Sequence, residues 1–286
     1  MSTRNAINRP TPLRPPAVSG RFYPANPKTL RKDIREYLNA VDPALASNAS
    51  TDRRPVRAII APHAGYPYSG PVAASAYACV TPRRDTINRV VLIGPSHFVG
   101  FGGIACSSAK AFDTPLGPVP IDTHAVQTLT AQVDVIINDT AHAPEHGLEV
   151  HLPFLIETLG RTDAPADVGL EIIPLLFGDV DDKPVAEVLD PFLDDEKTLI
   201  VVSSDLSHYL DYGTASSVDR ETADAIVACC ADDITPERAC GHTCVRALLR
   251  CAESRGLAVD EVDLRNSGDT AGPRDSVVGY GAFTIR

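Results

Sequence analysis

Three stretches of the chain end in loops whose side chains could do metal or acid–base chemistry. Residues 56–61 run into Pro62-His63-Ala64-Gly65-Tyr66, and residues 89–93 into Gly94-Pro95-Ser96-His97. Residues 199–202 run into Ser203-Ser204-Asp205-Leu206-Ser207-His208. Imidazole suits iron, copper or zinc, and a thiolate is a softer ligand. Among seven cysteines, Cys240 is the best thiol candidate. It precedes Gly241 near the start of a helical pattern over 241–255, where the partial positive charge of a helix N-terminus favours the thiolate. Cys244 lies one turn on, but Val245, Ala247, Leu248 and Leu249 place it in a core. Cys79, Cys229, Cys230 and Cys251 sit in apolar helical patterns, where cysteine acts as a small hydrophobe, and Cys106 reads as structural.

A second cluster is Glu145-His146-Gly147-Leu148-Glu149-Val150-His151. It reads as a metal half-site or acid–base pair, or as a helix start with Glu145 and Glu149 in the first turn and His151 packed. The mixed reading is favoured: His146 faces the cleft, and Glu149 and His151 support it. Asp205 could bind a metal or orient a histidine. His208 could pass protons near neutral pH. A single loop histidine is as readily a hydrogen-bonded structural residue. Three on strand-end loops favour a site, provided their strands are neighbours.

Those loops need a scaffold. Residues 56–61, 89–93, 171–177 and 199–202 are continuous, β-branched apolar runs, which suit strands buried on both faces. Helical patterns cover 29–40, 71–79, 149–159, 184–193, 216–230 and 241–255. The alternation predicts a single α/β domain, with a largely parallel or mixed central sheet and helices on both faces. Residues 277–285 read as a closing strand, its Gly279 and Gly281 marking close backbone contact or an edge. In open α/β sheets, sites form beyond the carboxyl ends of the strands, so His63, His97, Asp205 and His208 are expected along one sheet edge. Residues 1–16, polar and Pro-rich with Arg4, Arg9 and Arg14, read as a flexible arm before a domain over 17–286, and residues 42–54 as a polar linker.

Composition narrows the function classes. The 286 residues are 44% hydrophobic and 22% charged, ordinary for a soluble globular protein, and the net charge of -11 argues against a nucleic-acid partner. No apolar stretch is long enough for a membrane helix, and the arm has no apolar core of a secretory signal. The odd cysteine count, without CxxC pairs, argues against a disulfide framework. A cytoplasmic location is expected. Neither GxGxxG nor a Walker A segment occurs, and Ser203-Ser204-Asp205 is not a nucleophile elbow.

At these residues the sequence resembles the Memo family. The resemblance is carried by Ala61-Pro62-His63-Ala64-Gly65-Tyr66, Ser69-Gly70, Gly94-Pro95-Ser96-His97, Glu145-His146, Glu149, His151-Leu152-Pro153, Ser203-Ser204-Asp205, His208 and Cys240-Gly241, in that order along nearly the whole chain from Ala17. Bacterial and archaeal members are called AmmeMemoRadiSam system protein B, and the family is similar to class III extradiol dioxygenases of the LigB type. The resemblance implies a LigB-like fold and a metal held by His63, His97 and Cys240, with Asp205 and His208 in the same cleft. It also implies pathway partners of AMMECR and radical SAM type. Some relatives carry a second histidine where this chain has Phe98. True extradiol enzymes use a carboxylate as third iron ligand, so Cys240 in that place argues against ordinary ring cleavage.

The leading expectation is a metal-dependent redox protein with dioxygenase-like chemistry. An iron or copper ion would sit on His63, His97 and Cys240, with zinc less favoured. His208 would act as acid–base residue, and Asp205 and His146 would shape the pocket. The alternative is a binding module that holds a metal, a peptide or a small ligand without turnover. A zinc hydrolase, with Glu145 or Asp205 activating water, is the third reading.

Overall fold

The computed structural model describes residues 13–43, 54–160 and 169–286. Residues 1–12 of the arm and 44–53 of the linker lie outside them. In chain order the strands are β1 Leu13–Arg14, β2 Ala58–Ala61, β3 Arg89–Pro95, β4 Ile104–Cys106, β5 Ala111–Phe112, β6 Val119–Pro120, β7 Val135–Ile137, β8 Glu171–Phe177, β9 Thr198–Ser203, β10 His208–Leu210, β11 Val259–Asn266 and β12 Val277–Ile285. The helices are α1 Pro27–Ala40, α2 Tyr66–Val80, α3 Thr123–Leu129, α4 Asp139–His142, α5 His151–Leu159, α6 Asp182–Leu189, α7 Tyr212–Val227 and α8 His242–Arg255. Among the described residues no helix is long and apolar enough to cross a membrane.

The central sheet is mixed, as the sequence predicts. Strands β2, β9, β3 and β8 lie side by side and parallel. They coincide with the four apolar runs, and nearly every residue in them is buried. Antiparallel strands extend both sides: β4 on β8, with β7 parallel to it, and β12 on β2. Strand β12 also pairs with β10 and with β11.

The strand order dictates the layering. The chain moves from β2 past β9 to β3, and from β8 back past β3 to β9. Crossovers between parallel strands are right-handed, so opposite directions of travel place their helices on opposite faces. Helix α2 makes the first crossing and packs with α1 and α5, whereas α6 makes the second and packs against α8. The carboxyl ends of β2, β9 and β3 are thus neighbours, and their loops open at one edge.

Two boundaries differ from the sequence reading. Helix α2 starts at Tyr66, before Pro71, because the Gly65 carbonyl accepts from Tyr68 and Ser69 N–H while the Ser69 hydroxyl returns to Ala64 O. The arm read over 1–16 also ends sooner. Leu13 and Arg14 form β1, paired with β5 in a small separate sheet, and the Arg14 side chain is 5% exposed.

Candidate functional site

His63 follows β2 by two residues, with Pro62 fixing the turn, and is buried. Its backbone N–H donates to Asp205 Oδ1 at 2.7 Å, and its Nδ1 lies 2.7 Å from Ser203 Oγ. The Ser203 hydroxyl has one proton and gives it to Gly147 O at 2.6 Å. Ser203 must therefore accept from His63, which places the imidazole proton on Nδ1 and makes Nε2 the acceptor, facing the Cys240 thiol.

His97 reaches the same tautomer differently. Its Nδ1 is 2.8 Å from Glu145 Oε1, and its backbone N–H donates to Glu145 Oε2 at 2.7 Å. Gly147 N–H adds a third bond to that carboxylate, at 2.7 Å. Burial works against the Glu145 charge, yet the His97 ring and these N–H groups hold its pKa below the usual carboxylate range. A carboxylate behind Nδ1–H orients the ring and frees Nε2, the usual support of a ligating histidine.

His146 completes a cluster. One ring nitrogen from each of His63, His97 and His146 lies within 4.8 Å of the others. The His146 ring stacks on His97 at 4.6 Å, and Phe22 meets its edge at 4.9 Å. Its Nδ1 is buried without a hydrogen-bond partner among the described residues, 3.4 Å from Glu145 Oε1. Burial lowers the His146 pKa to about 4, so the ring is neutral at pH 7. Burial, aided by the neighbouring histidines, also lowers His63. Gly147 eases the approach of Glu145, since a Cβ there would lie a tight 3.2 Å from Oε1.

Cys240 meets the cluster through one member. Its Sγ is 3.4 Å from His63 Nε2. Two donors at about 2.0 and 2.3 Å from a tetrahedral ion would be about 3.5 Å apart, so this spacing fits an N and S ligand pair. Cys240 falls outside the set of mutually close nitrogens, where His146 stands instead. The thiolate expected from the helix N-terminus is absent. Gly241 N–H is bonded to Ser204 Oγ at 2.9 Å, and burial, with the Asp205 charge, pushes the Cys240 thiol up to about 12.

Asp205 lies beside Cys240, its N–H donating to Sγ at 3.3 Å and its Oδ2 4.0 Å from His63 Nε2. Burial raises its pKa above the usual carboxylate range, against the pull of His63 N–H and the His208 charge. His208 begins β10, half-buried and within electrostatic reach of Asp205. Tyr209 follows with a φ of 60° and is 77% exposed, and Phe98 on the opposite loop is 59% exposed.

The two supporting acids have different duties. Glu145 orients His97, while Glu149 accepts from the N-terminal segment, and His151 sits in the core with Nδ1 2.9 Å from Tyr77 Oη. Ser203 is the contributor that sequence reasoning passed over. Its signal was slight: a hydroxyl on the last residue of a parallel strand between the two histidine strands.

Known proteins resemble this chain along nearly its whole length. The model of the family described as Memo-like protein matches residues 14–284. The chain is 31% identical over 285 residues to a MEMO1 family protein of Methanosarcina barkeri, covering 96% of this chain and all of that one. It is 33% identical over 288 residues to a MEMO1 family protein of Methanopyrus kandleri, at 96% and 99% coverage. A third MEMO1 family protein, from Archaeoglobus fulgidus, is 31% identical over 288 residues, at 96% and 100% coverage.

Proposed function

The chain belongs to the Memo-like family, and from that premise we propose that its histidine cleft holds one redox-active transition-metal ion, iron or copper. The observation that carries this reading is the tautomer state of the cluster. Ser203 and Glu145 accept from Nδ1 of His63 and His97, which leaves Nε2 of each ring as its acceptor atom, and one ring nitrogen from each of these two and of His146 lies within 4.8 Å of the others. Three imidazoles converging at the mouth of a cleft, His63 buried and the other two less so, fit a soft-to-borderline cation. His63 and His97 would be ligands, with His146 and the Cys240 sulfur as the donors that complete the set.

A bound ion of that kind would supply electron transfer or oxygen activation, the latter being the chemistry of the extradiol dioxygenases to which the resemblance relates the Memo family. The chain's own residues have separate tasks. Asp205 holds the His63 backbone and carries a carboxyl whose raised pKa suits proton exchange. His208 would pass that proton toward the open side. Cys240 must release its proton on joining the ion, so binding should strengthen as pH rises.

The test is metal content of untagged protein, with oxygen uptake measured on catechols and thiols. Stoichiometric iron or copper with turnover supports the reading. Tight metal without turnover favours the non-catalytic binding module, and no bound metal under any loading overturns the metal reading and leaves a peptide or small-ligand module.

A further inference from the structure

We propose that Arg14 and Glu149 are positioning residues, which tie a strap of residues 13–23 to the turn carrying His146 and so set that histidine in the cluster. The proposal deepens the metal reading, because the cluster is what the strap positions, but its first test needs no metal.

Glu149 is fully buried and has four donors. Oε2 accepts from Arg14 Nη1 and from Ala17 N–H at 2.6 Å; Oε1 accepts from Val18 N–H at 2.9 Å and Tyr23 Oη at 2.7 Å. Arg14 turns its remaining donors on the same stretch of chain. Nε donates to His142 O at 3.0 Å, and Nη2 to Glu145 O and Ala143 O. One carboxylate and one guanidinium thus sew the strap to residues 142–149, on both sides of His146. A buried pair is costly to desolvate and is sustained by hydrogen bonds to its polar atoms, and each side-chain nitrogen of Arg14 and each carboxylate oxygen of Glu149 has at least one.

The strap then reaches the site itself. Phe22 places its ring edge on His146, and its carbonyl accepts from Tyr66 N–H at 2.8 Å, at the head of the helix that follows His63. His63 takes its own orientation from Ser203 and Asp205, beyond β9. Loosening the strap should therefore move His146, and His97 through Glu145, more than His63, which feels the turn only through the Ser203–Gly147 bond and the His146 ring.

The experiment uses the full chain with Arg14→Met, Arg14→Lys and Phe22→Leu. In metal-free protein, NMR should show the His146 ring and Gly147 amide displaced and exchange of the 145–149 amides raised about tenfold or more, with His63 signals shifted clearly less. Cobalt(II) affinity should fall on the order of 10–100-fold in Arg14→Met, less in Arg14→Lys. Unmoved His146 signals beside a lowered melting temperature would overturn the proposal, as would equal displacement of His63. If Arg14→Met fails to fold, Phe22→Leu decides by the same signals, since it removes only the ring contact. A wild type that never binds cobalt defeats the metal reading alone, because the metal-free signals still judge the strap.

Discussion

Replacing Ser203 by alanine tests the tautomer argument at its source. The hydroxyl accepts the His63 Nδ1 proton at 2.7 Å and donates to Gly147 O at 2.6 Å, both in buried surroundings. Alanine leaves two buried polar groups unpaired, each costing about 1–3 kcal/mol, so Ser203→Ala should lower unfolding stability by about 2–6 kcal/mol. Without its acceptor the imidazole proton is free to move to Nε2, toward Asp205 Oδ2 at 4.0 Å. That move blocks the lone pair that would face an ion. Loss of such an orienting bond costs on the order of 10–100-fold in metal affinity, about 1.4–2.7 kcal/mol. Titration of cobalt(II) or zinc against a chromophoric chelator, with urea melts alongside, measures both terms. Ser203→Thr keeps the hydroxyl and should regain the affinity, though its extra methyl meets a tight neighbour, Gly94. If Ser203→Ala binds metal as tightly as wild type, the tautomer is set some other way and the argument is wrong.

Four further outcomes follow from the same geometry. His63→Ala should lose the metal, whereas His208→Ala should retain it and lose turnover by on the order of 10²–10⁴-fold; an empty site in His208→Ala would make His208 a ligand. Burial holds His142 and His146 at about 4 and His151 at about 3, so each is neutral when folded and takes a proton more readily when unfolded. Their stabilising contribution is complete above about pH 6.5 and is lost as pH falls toward 4 and 3, by about 1.4 kcal/mol per pH unit for each ring; urea midpoints unchanged between pH 7 and pH 5 would contradict this. Cys240, its thiol raised to about 12, should alkylate more slowly than exposed Cys230 in metal-free protein at pH 8, as peptide mapping of the label would show. Gly279→Ala should destabilise by about 1–3 kcal/mol or more, because the new methyl would lie 2.0 Å from Asp219 Oδ2, a clash that a melting curve indistinguishable from wild type would disprove.

The parallel heart of the fold was legible because its strands are apolar on both faces. Residues 171–177 and 277–285 were read with the boundaries they have in β8 and β12. Strand β11, Val-Asp-Glu-Val-Asp-Leu-Arg-Asn, was not read, since an edge strand with one wet side carries charges that mask the pattern. His63 and His97 stood out because each follows its strand within two residues of the strand end. His146 was seen as cleft-facing, but its place among the converging nitrogens depends on a turn with no strand before it. Arg14 was read as part of a loose arm because nothing local reveals that its partner, Glu149, waits 135 positions away.

Strand β2 pairs with β9 on one side and β12 on the other, and His63 meets Cys240 across 177 positions. A nascent chain that has already emitted His63, His97 and His146 holds three loose imidazoles and no preorganised site. The cage assembles only after β9 and the Cys240 turn have been made, and β2 gains its last neighbour from β12. Contacts this distant make folding slow, and they also keep the growing chain a poor trap for stray ions. Whatever free energy an ion contributes then favours the finished fold alone, about 2.7 kcal/mol when the free ion is a hundredfold above its dissociation constant. Metal supply would thereby act as a selector of completed molecules over partial ones.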